Sequence, residues 1–394
     1  MLSLGSNISA TQAVESKYSG VFDGTDDFVD CGLIDFNTND FSVSCWVKVR
    51  EWTQYSTIWS NRSDSSNSNI GVGLRTTGVT GELQLFSDWG TPTDSSIVTG
   101  VPADTWVHVV CTGDRDGNQV IYLNDDDATT TTDISDRSSV DFTSNLEFRI
   151  GRSHGDLYHN MSISQLGIWN VALSANAVEA LYNNGKPINL RINQGNYTSS
   201  SNLQQYYKFG NGLFDDKAIG IVHDQDNPGF GSNLVTNGHF DVNTSGWSAG
   251  SGRYIHSLTW EKDCLYFCSV DLYLVSGKFR IDGADTAVIG AGTGSNSEII
   301  GIETYDAAID DRWRTVTGYA IGVASGNTDE LWIRSFGTSS GKSITQGTFG
   351  GRSGVARFVF TDTGEFYIDN VSVKKINGKP GLTSGGVTFS SDTP

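Results

Sequence analysis

The chain has 394 residues, which is enough for two or three domains of ordinary size. Hydrophobic residues make up 37% of it and aromatic residues 11%, so the composition excludes a disordered protein. The formal charge of −19 repels phosphate groups, and the sequence therefore predicts neither nucleic acid nor an anionic membrane as a partner.

The first elements in chain order are a polar arm and a series of strands. Residues 1–16 are small, polar and unpatterned, lack the basic and apolar regions of a signal peptide, and are predicted to form an arm that docks on a partner. Residues 41–49 alternate between apolar and polar positions, which predicts a strand with one buried face. Residues 106–111 and 120–123 predict two more strands joined by a turn.

One short helix is predicted near residues 174–184. Ser174 is a suitable N-cap, residues 175–182 supply the helical turns, and Gly185 and Pro187 end them. Residues 204–209 predict a closing strand for the first domain.

The turn-forming stretch from Asp224 to Ser232 marks a domain boundary, and a second series of strands runs to Lys375. These patterns divide the chain into an N-terminal arm (1–16), a first domain (17–231), a second domain (232–378) and a flexible tail (379–394).

The chain has five cysteines, and none of them lies in a C-x-x-C pair. Cys45 and Cys111 fall in alternating strand patterns, where a free thiol acts as a small apolar filler. The sequence therefore predicts reduced thiols and a protein that folds in a cytoplasm.

Several segments of the first domain resemble the laminin-G-like, concanavalin A-like lectin/glucanase domains, and they occur in the family's order. The segments are Tyr18–Gly32 (YSGVFDGTDDFVDCG), Phe41–Trp46, Asp104–Val110, Phe148–Gly151, Leu166–Trp169 and Ala172–Ser174. The resemblance implies a two-sheet jelly-roll sandwich.

The second domain resembles the jelly-roll carbohydrate-binding modules. Residues 233–241 (NLVTNGHFD), with Trp247 after them, resemble the opening of these modules, and residues 366–373 resemble their final strand. The resemblance implies one structural calcium ion, held by Asp241 and Asp369, although relatives usually have the longer Glu at the first position. The predicted fold is therefore all-β, with two jelly-roll β-sandwiches in tandem and one short helix in the first.

Glycosidase activity in the lectin-like fold requires paired carboxylates in an E-x-D-x-x-E pattern on one strand face. The sequence lacks this pattern. Glu303 and Asp306 are three residues apart, which places them on opposite strand faces. His108 lies between apolar strand residues and is predicted to be a packed structural residue. We therefore expect no enzymatic activity, and an endo-glycosidase would need carboxylates from distant strands.

Sugar binding usually needs an exposed aromatic ring surrounded by polar side chains. Four aromatic residues fall in polar, loop-like surroundings and are the candidate ligand-binding residues: Trp52, Tyr55, Trp89 and Trp260. Burial or a subunit contact is the alternative for each of them.

The pairing of these two modules behind a polar arm is similar to surface proteins of tailed bacteriophages, particularly marine ones. This similarity predicts a non-enzymatic virion surface protein: a capsid decoration or head fibre protein, or a tail-fibre component. It would be made in the host cytoplasm, would bind other virion proteins through the arm, would bind glycans, and would form a homo-oligomer, for which a trimer is the expectation. The alternative is a secreted or cell-surface carbohydrate-binding adhesin.

The predicted calcium site leads to a first testable prediction. A calcium ion at Asp369, with Asp241 as a partner, would stabilise the second domain by mass action. We expect a chelator to lower the melting temperature of this domain in a thermal scan, and Asp369→Ala to remove the difference. A wild-type melting temperature that is the same with and without chelator contradicts the site.

Overall fold

The computed structural model describes two compact units, one formed by residues 1–227 with 380–394 and the other by residues 228–379. The described residues are 16–34, 36–62, 70–89, 93–126, 131–213, 215–217, 220–226, 228–241, 243–262, 264–284, 286–287, 296–310, 312–323, 330–335 and 341–394. The predicted arm, apart from Ser16, lies outside them. Among these residues no helix is long and apolar enough to cross a lipid bilayer.

The first unit consists of strands and one α-helix. Its strands are β1 (Ser19–Asp23), β2 (Phe28–Leu33), β3 (Phe41–Val49), β4 (Thr57–Ser60), β5 (Ile70–Thr76), β6 (Leu83–Trp89), β7 (Thr93–Val98), β8 (Trp106–Gly113), β9 (Asn118–Leu123), β10 (Thr132–Asp133), β11 (Glu147–Ile150), β12 (Asn160–Trp169), β13 (Leu203–Tyr207), β14 (Ile221–His223), β26 (Pro380–Ser384) and β27 (Thr388–Ser390). Its helix is α1 (Ala175–Tyr182), as predicted, and 3-10 turns occupy Ser135–Arg137 and Ser200–Asn202.

These strands form two eight-stranded antiparallel sheets. The first sheet has the order β10-β9-β8-β3-β12-β1-β27, with β13 paired to β12, and the second has the order β14-β26-β2-β11-β4-β5-β6-β7. Alternate residues of both sheets meet in one core, in which Val43 and Cys45 of the first sheet join Val72 and Leu74 of the second. The buried Cys45 thiol is an apolar filler, as predicted. The first unit is therefore a β-sandwich.

The predicted flexible tail is wrong, because residues 380–394 belong to the first unit. Strand β26 inserts between β2 and β14, and β27 pairs with β1. Beyond the strands, Asp392 accepts hydrogen bonds from Lys48 Nζ at 3.0 Å and from Trp106 Nε1 at 3.1 Å. A polar, glycine-containing segment can pair at an edge because strand pairing uses backbone groups, which composition does not reveal.

The strands of the second unit form a single eleven-stranded sheet. Its strands are β15 (Phe230–Asn233), β16 (Trp247–Gly250), β17 (Arg253–Ser257), β18 (Leu265–Ala284), β19 (Thr286–Ala287), β20 (Asn296–Thr304), β21 (Arg314–Gly322), β22 (Glu330–Arg334), β23 (Lys342–Phe349), β24 (Arg352–Phe360) and β25 (Gly364–Ile376). The main path runs β16-β17-β22-β18-β25-β24-β23, and the 20-residue strand β18 also pairs with β20 and β21. Its own core contains residues such as Val270, Ile281 and Phe358. The all-β architecture with a single short helix is confirmed.

Candidate functional site

Helix α1 packs on the outer face of the first sheet. Its Val178 and Leu181 join Val110 and Trp169 of the sheet in a second apolar cluster. Ser174 caps the helix by accepting a hydrogen bond from the Ala177 amide, and Asn183 ends it in the left-handed conformation with a φ of 47°. The sequence therefore fixes both ends of the helix, and the apolar face fixes its position.

A loop at residues 190–197 lies beside the C-terminal end of this helix. Its anchor is Tyr197, whose buried hydroxyl donates to the Leu190 carbonyl at 2.6 Å and accepts from Trp169 Nε1 at 3.1 Å. Gln194 and Tyr197 also pair their backbones. This anchoring holds the tip of the loop, residues 194–196, next to α1.

Between the loop, the helix end and the turn after β9 lies an open groove of about 250 Å³. We call it the α1 groove, and its lining residues are Asp125, Glu179, Ala180, Asn183, Asn184, Gln194, Gly195 and Asn196. None of the described lining residues is aromatic.

The polar side chains of the α1 groove are mostly without partners in the chain. Among the described residues, the side chains of Asp125, Glu179, Asn184, Gln194 and Asn196 make no hydrogen bond or ion pair with one another or with any other residue. Glu179 also lies in the last turn of α1, which contains no basic residue and where the helix dipole is negative. The groove is therefore a negatively charged cluster of free carboxylates and carboxamides.

The four aromatic candidates are not brought together, and two of them are buried. Trp89 is 8% exposed and stacks on Phe142 in the core of the first unit, with Nε1 donating to Asp94 at 2.8 Å. Trp260 is 4% exposed and packs edge-on against Tyr266 in the second core. Neither can serve as an exposed sugar-binding ring, because Trp89 ends strand β6 with its ring in the first core and Trp260 lies in a loop that packs on the second core.

The other two candidates lie at the surface to different degrees. Trp52 is half-buried and packs against the first core. Tyr55 is 42% exposed, and the Arg75 guanidinium lies 4.3 Å from the centre of its ring. Tyr55 is thus the one candidate of the four that offers an open aromatic face, and it is already stacked on one side.

The predicted calcium ligands lie in different surroundings. Asp241 is exposed and lies against Gly354. Asp369 pairs across strands with Asp271, and Arg352 Nη1 lies 2.7 Å from the Asp271 carboxylate and 3.6 Å from that of Asp369. A guanidinium already balances these two carboxylates, so the described residues around Asp369 do not fit a divalent cation well. Calcium there stays a prediction for the chelation experiment.

Sequence reasoning missed the one place where three acidic side chains converge among the described residues. Carboxylate oxygens of Asp23, Asp26 and Asp27 lie within 4.8 Å of one another. Asp27 is 3% exposed and accepts hydrogen bonds from the backbone amides of Asp23, at 2.9 Å, and of Gly386. Burial raises the pKa of the Asp27 carboxyl. The visible function of this side chain is structural, since it ties the turn after β1 to the residues that follow β26.

His108 is buried, as predicted, and has no catalytic surroundings. Its Nε2 lies 2.7 Å from Ser44 Oγ, and its ring packs 5.0 Å from that of Trp46. Burial lowers its pKa to about 3, and burial likewise lowers the pKa of His159 and of His223 to about 4. All three histidines are therefore neutral in the folded first unit at neutral pH.

Comparison with known protein families supports the predicted lectin-like fold of the first unit. Residues 23–179 match the model of the Concanavalin A-like lectin/glucanases superfamily. Residues 23–179 are therefore similar to concanavalin A-like lectin domains, in agreement with the resemblance predicted for the first sandwich. No curated protein matches the chain.

Solved structures show low similarity. A pentraxin from Limulus polyphemus is 16% identical with a TM-score of 0.35, over 43% of this chain and 84% of the pentraxin. A Bacteroides ovatus protein described as carbohydrate-binding is 18% identical with a TM-score of 0.41, over 54% of this chain and 56% of that protein. Domains LG4-5 of mouse laminin alpha1 are 12% identical with a TM-score of 0.31, over 98% of this chain and 96% of that structure.

The three buried histidines predict a pH dependence of stability. Their folded pKa values lie below the usual value near 6.5, so stability is full above pH 6.5 and falls as the pH drops toward 4, because the unfolded chain binds protons first. Each histidine contributes about 1.4 kcal/mol of lost stability per pH unit in that window. Denaturant unfolding of the first unit at pH 7, 6 and 5 measures this slope.

His108→Asn should reduce the slope, and His239→Asn, which changes an exposed histidine of the second unit, is the matched control. Equal slopes for wild type and His108→Asn contradict the assignment.

Proposed function

We propose that this protein is a non-enzymatic glycan-binding protein and that the α1 groove is its binding site in the first unit. The observation that carries the proposal is a cavity on a lectin-like domain that is lined by two carboxylates and four carboxamides, of which all but Asn183 have no side-chain partner among the described residues. Carboxylates accept hydrogen bonds from sugar hydroxyls, and carboxamides both donate and accept them. At about 250 Å³ the cavity is below the range of about 300–1,000 Å³ of pockets for drug-sized ligands, which suits a single sugar ring.

The charge of the groove selects among sugars. Asp125 and Glu179 add two negative charges at the negative end of a helix, and none of the described residues that line the groove is basic. Acidic sugars would be repelled there, so the ligand is a neutral or amino sugar.

Glycan binding by the groove is tested with Glu179→Gln, which keeps the size of the side chain and removes its charge. A hydrogen bond to a charged group contributes about 1.5–3 kcal/mol, so we expect affinity for the best neutral or amino sugar on a glycan array to fall about tenfold or more by calorimetry. Glu51→Gln, which changes an exposed carboxylate of the same unit, should bind as wild type.

Unchanged affinity in Glu179→Gln would place binding elsewhere. The same incubations should release no reducing ends, and turnover abolished by one Asp or Glu substitution would overturn the non-enzymatic assignment.

We further propose that the protein is displayed on a virion surface as a homotrimer, with residues 1–16 as its attachment to other virion proteins. What supports this is the similarity of the module pairing to tailed-bacteriophage surface proteins and the composition of the arm. The arm has few apolar residues, spread among Ser, Asn and Gly, so it has too little apolar surface to fold alone. Such a segment becomes ordered when it adds backbone hydrogen bonds to a partner.

Deleting residues 1–16 tests this attachment. We expect the shortened chain to keep its circular dichroism spectrum and its melting temperature but to lose both trimer mass in light scattering and incorporation into particles. A shortened chain that still forms trimers and enters particles assigns assembly to another part of the protein.

A further inference from the structure

Three arginines lie in a row across neighbouring strands of the second unit. Arg334 of β22 pairs directly with Arg280 of β18. On the other side of β22, Tyr254 pairs with Ile333, which places Arg253 of β17 opposite Arg334. We call Arg253, Arg334 and Arg280 the arginine row.

The arginine row lies on the outer face of the sheet. The alternate residues Tyr254, Ile333 and Ile281 point to the other face, where all three belong to the core of this unit. Adjacent strands are about 4.7–4.9 Å apart, so the three arginines leave the backbone at regular short intervals. The side chains of Arg280 and Arg334 are 16% and 31% exposed. Like charges directly opposite one another destabilise a sheet. The protein as a whole has a net charge of −19, so a row of three arginines is not explained by a general excess of positive residues.

Two of the three charges are balanced within the chain. The Asp282 carboxylate is 1% exposed and is contacted by Nε of both Arg280 and Arg334. Glu298 lies 2.9 Å from Arg280 Nη1. Burial lowers the pKa of Arg334, Asp282 opposes this shift, and the neighbouring Arg280 and Arg253 add to it. The buried Asp282 carboxylate therefore holds Arg280 and Arg334 next to each other.

Arg253, at the other end, has no carboxylate partner in the part of the chain that the structure describes. Its guanidinium stacks on the Trp332 ring at 3.7 Å, and the indole is fixed by its own hydrogen bond from Nε1 to Glu330 at 2.6 Å. The Arg253 Nε group is buried and has no hydrogen-bond partner among the described residues. A buried donor without a partner is unfavourable. The stacking on Trp332 therefore holds this arginine in place although its Nε makes no hydrogen bond with the described residues.

We propose that the arginine row binds an acidic polysaccharide whose repeating units carry carboxylates, a polyuronide, and that the Trp332 ring, which is 6% exposed, positions Arg253. The planar guanidinium of Arg253 matches a planar carboxylate through two parallel hydrogen bonds, and the neighbouring Arg334 adds a second positive charge. Regular spacing of the row suits a polymer with an anionic group on each unit better than an isolated ion. The assignment rests on the proposed function in taking the ligand to be a glycan, and it adds a second site whose ligand class the acidic α1 groove would repel.

The test measures binding of the full chain to polygalacturonate by affinity electrophoresis and calorimetry at low and high salt. Arg253→Gln should weaken binding about tenfold, because it removes the guanidinium of the row that has no carboxylate partner among the described residues. Arg253→Lys keeps the charge but not the planar fork, and it should bind with intermediate affinity. Arg357→Gln is the matched control, since Arg357 lies on β24 of the same unit and is already paired with Glu365 at 2.8 Å.

Wild-type affinity in Arg253→Gln overturns the proposal, and so does an equal loss in Arg357→Gln. Equal binding of dextran sulfate and polygalacturonate, both lost in Arg253→Gln, overturns the carboxylate assignment. Unchanged melting temperatures show that the variants are folded, and if Arg253→Gln fails to fold, Arg253→Lys and Trp332→Phe provide the same comparison. Glu179→Gln should leave polygalacturonate binding unchanged, so failure of the α1 groove and failure of the arginine row are separate results.

Discussion

Each sandwich depends on burying one face of every sheet, which assigns alternate residues of each strand to the core. In β3 this rule sends Val43, Cys45 and Val47 to the interior and leaves Ser44 and Trp46 on the outer face. The side chains on the outer face can therefore vary without changing the packing of the core. Both proposed binding sites lie on such outer faces.

The two units use their outer faces differently. In the first, helix α1 covers part of the face and buries polar as well as aromatic groups, so that Trp46 stacks on Tyr182 and His108 is enclosed. The α1 groove forms where this cover ends. In the second, no helix is present among the described residues, and the face of β17, β22 and β18 carries the arginine row. The result is an acidic groove on one unit and a basic row on the other.

The opposite charges of these two surfaces indicate which class of sugar each of the proposed sites would bind. A groove with Asp125 and Glu179 favours neutral or amino sugars, whereas Arg253 stacked on Trp332 favours carboxylates. The two sites are built on different surfaces and by different residue types, so substitutions in one are expected to leave the other unchanged.

The sequence by itself determined the local structure: the alternation in residues 41–49, the Ser174 cap, the stop at Gly185, and the opening motif that resembles the lectin-like domains. These features were predictable because strand periodicity and helix capping depend on residues only a few positions apart. The tertiary structure alone decided that Trp89 and Trp260 are buried, that residues 380–394 join the first unit, and which residues form the two sites. The α1 groove combines three separate segments, and the arginine row depends on the pairing of three strands. Burial and register follow from contacts between distant segments, and no local pattern of residues encodes them.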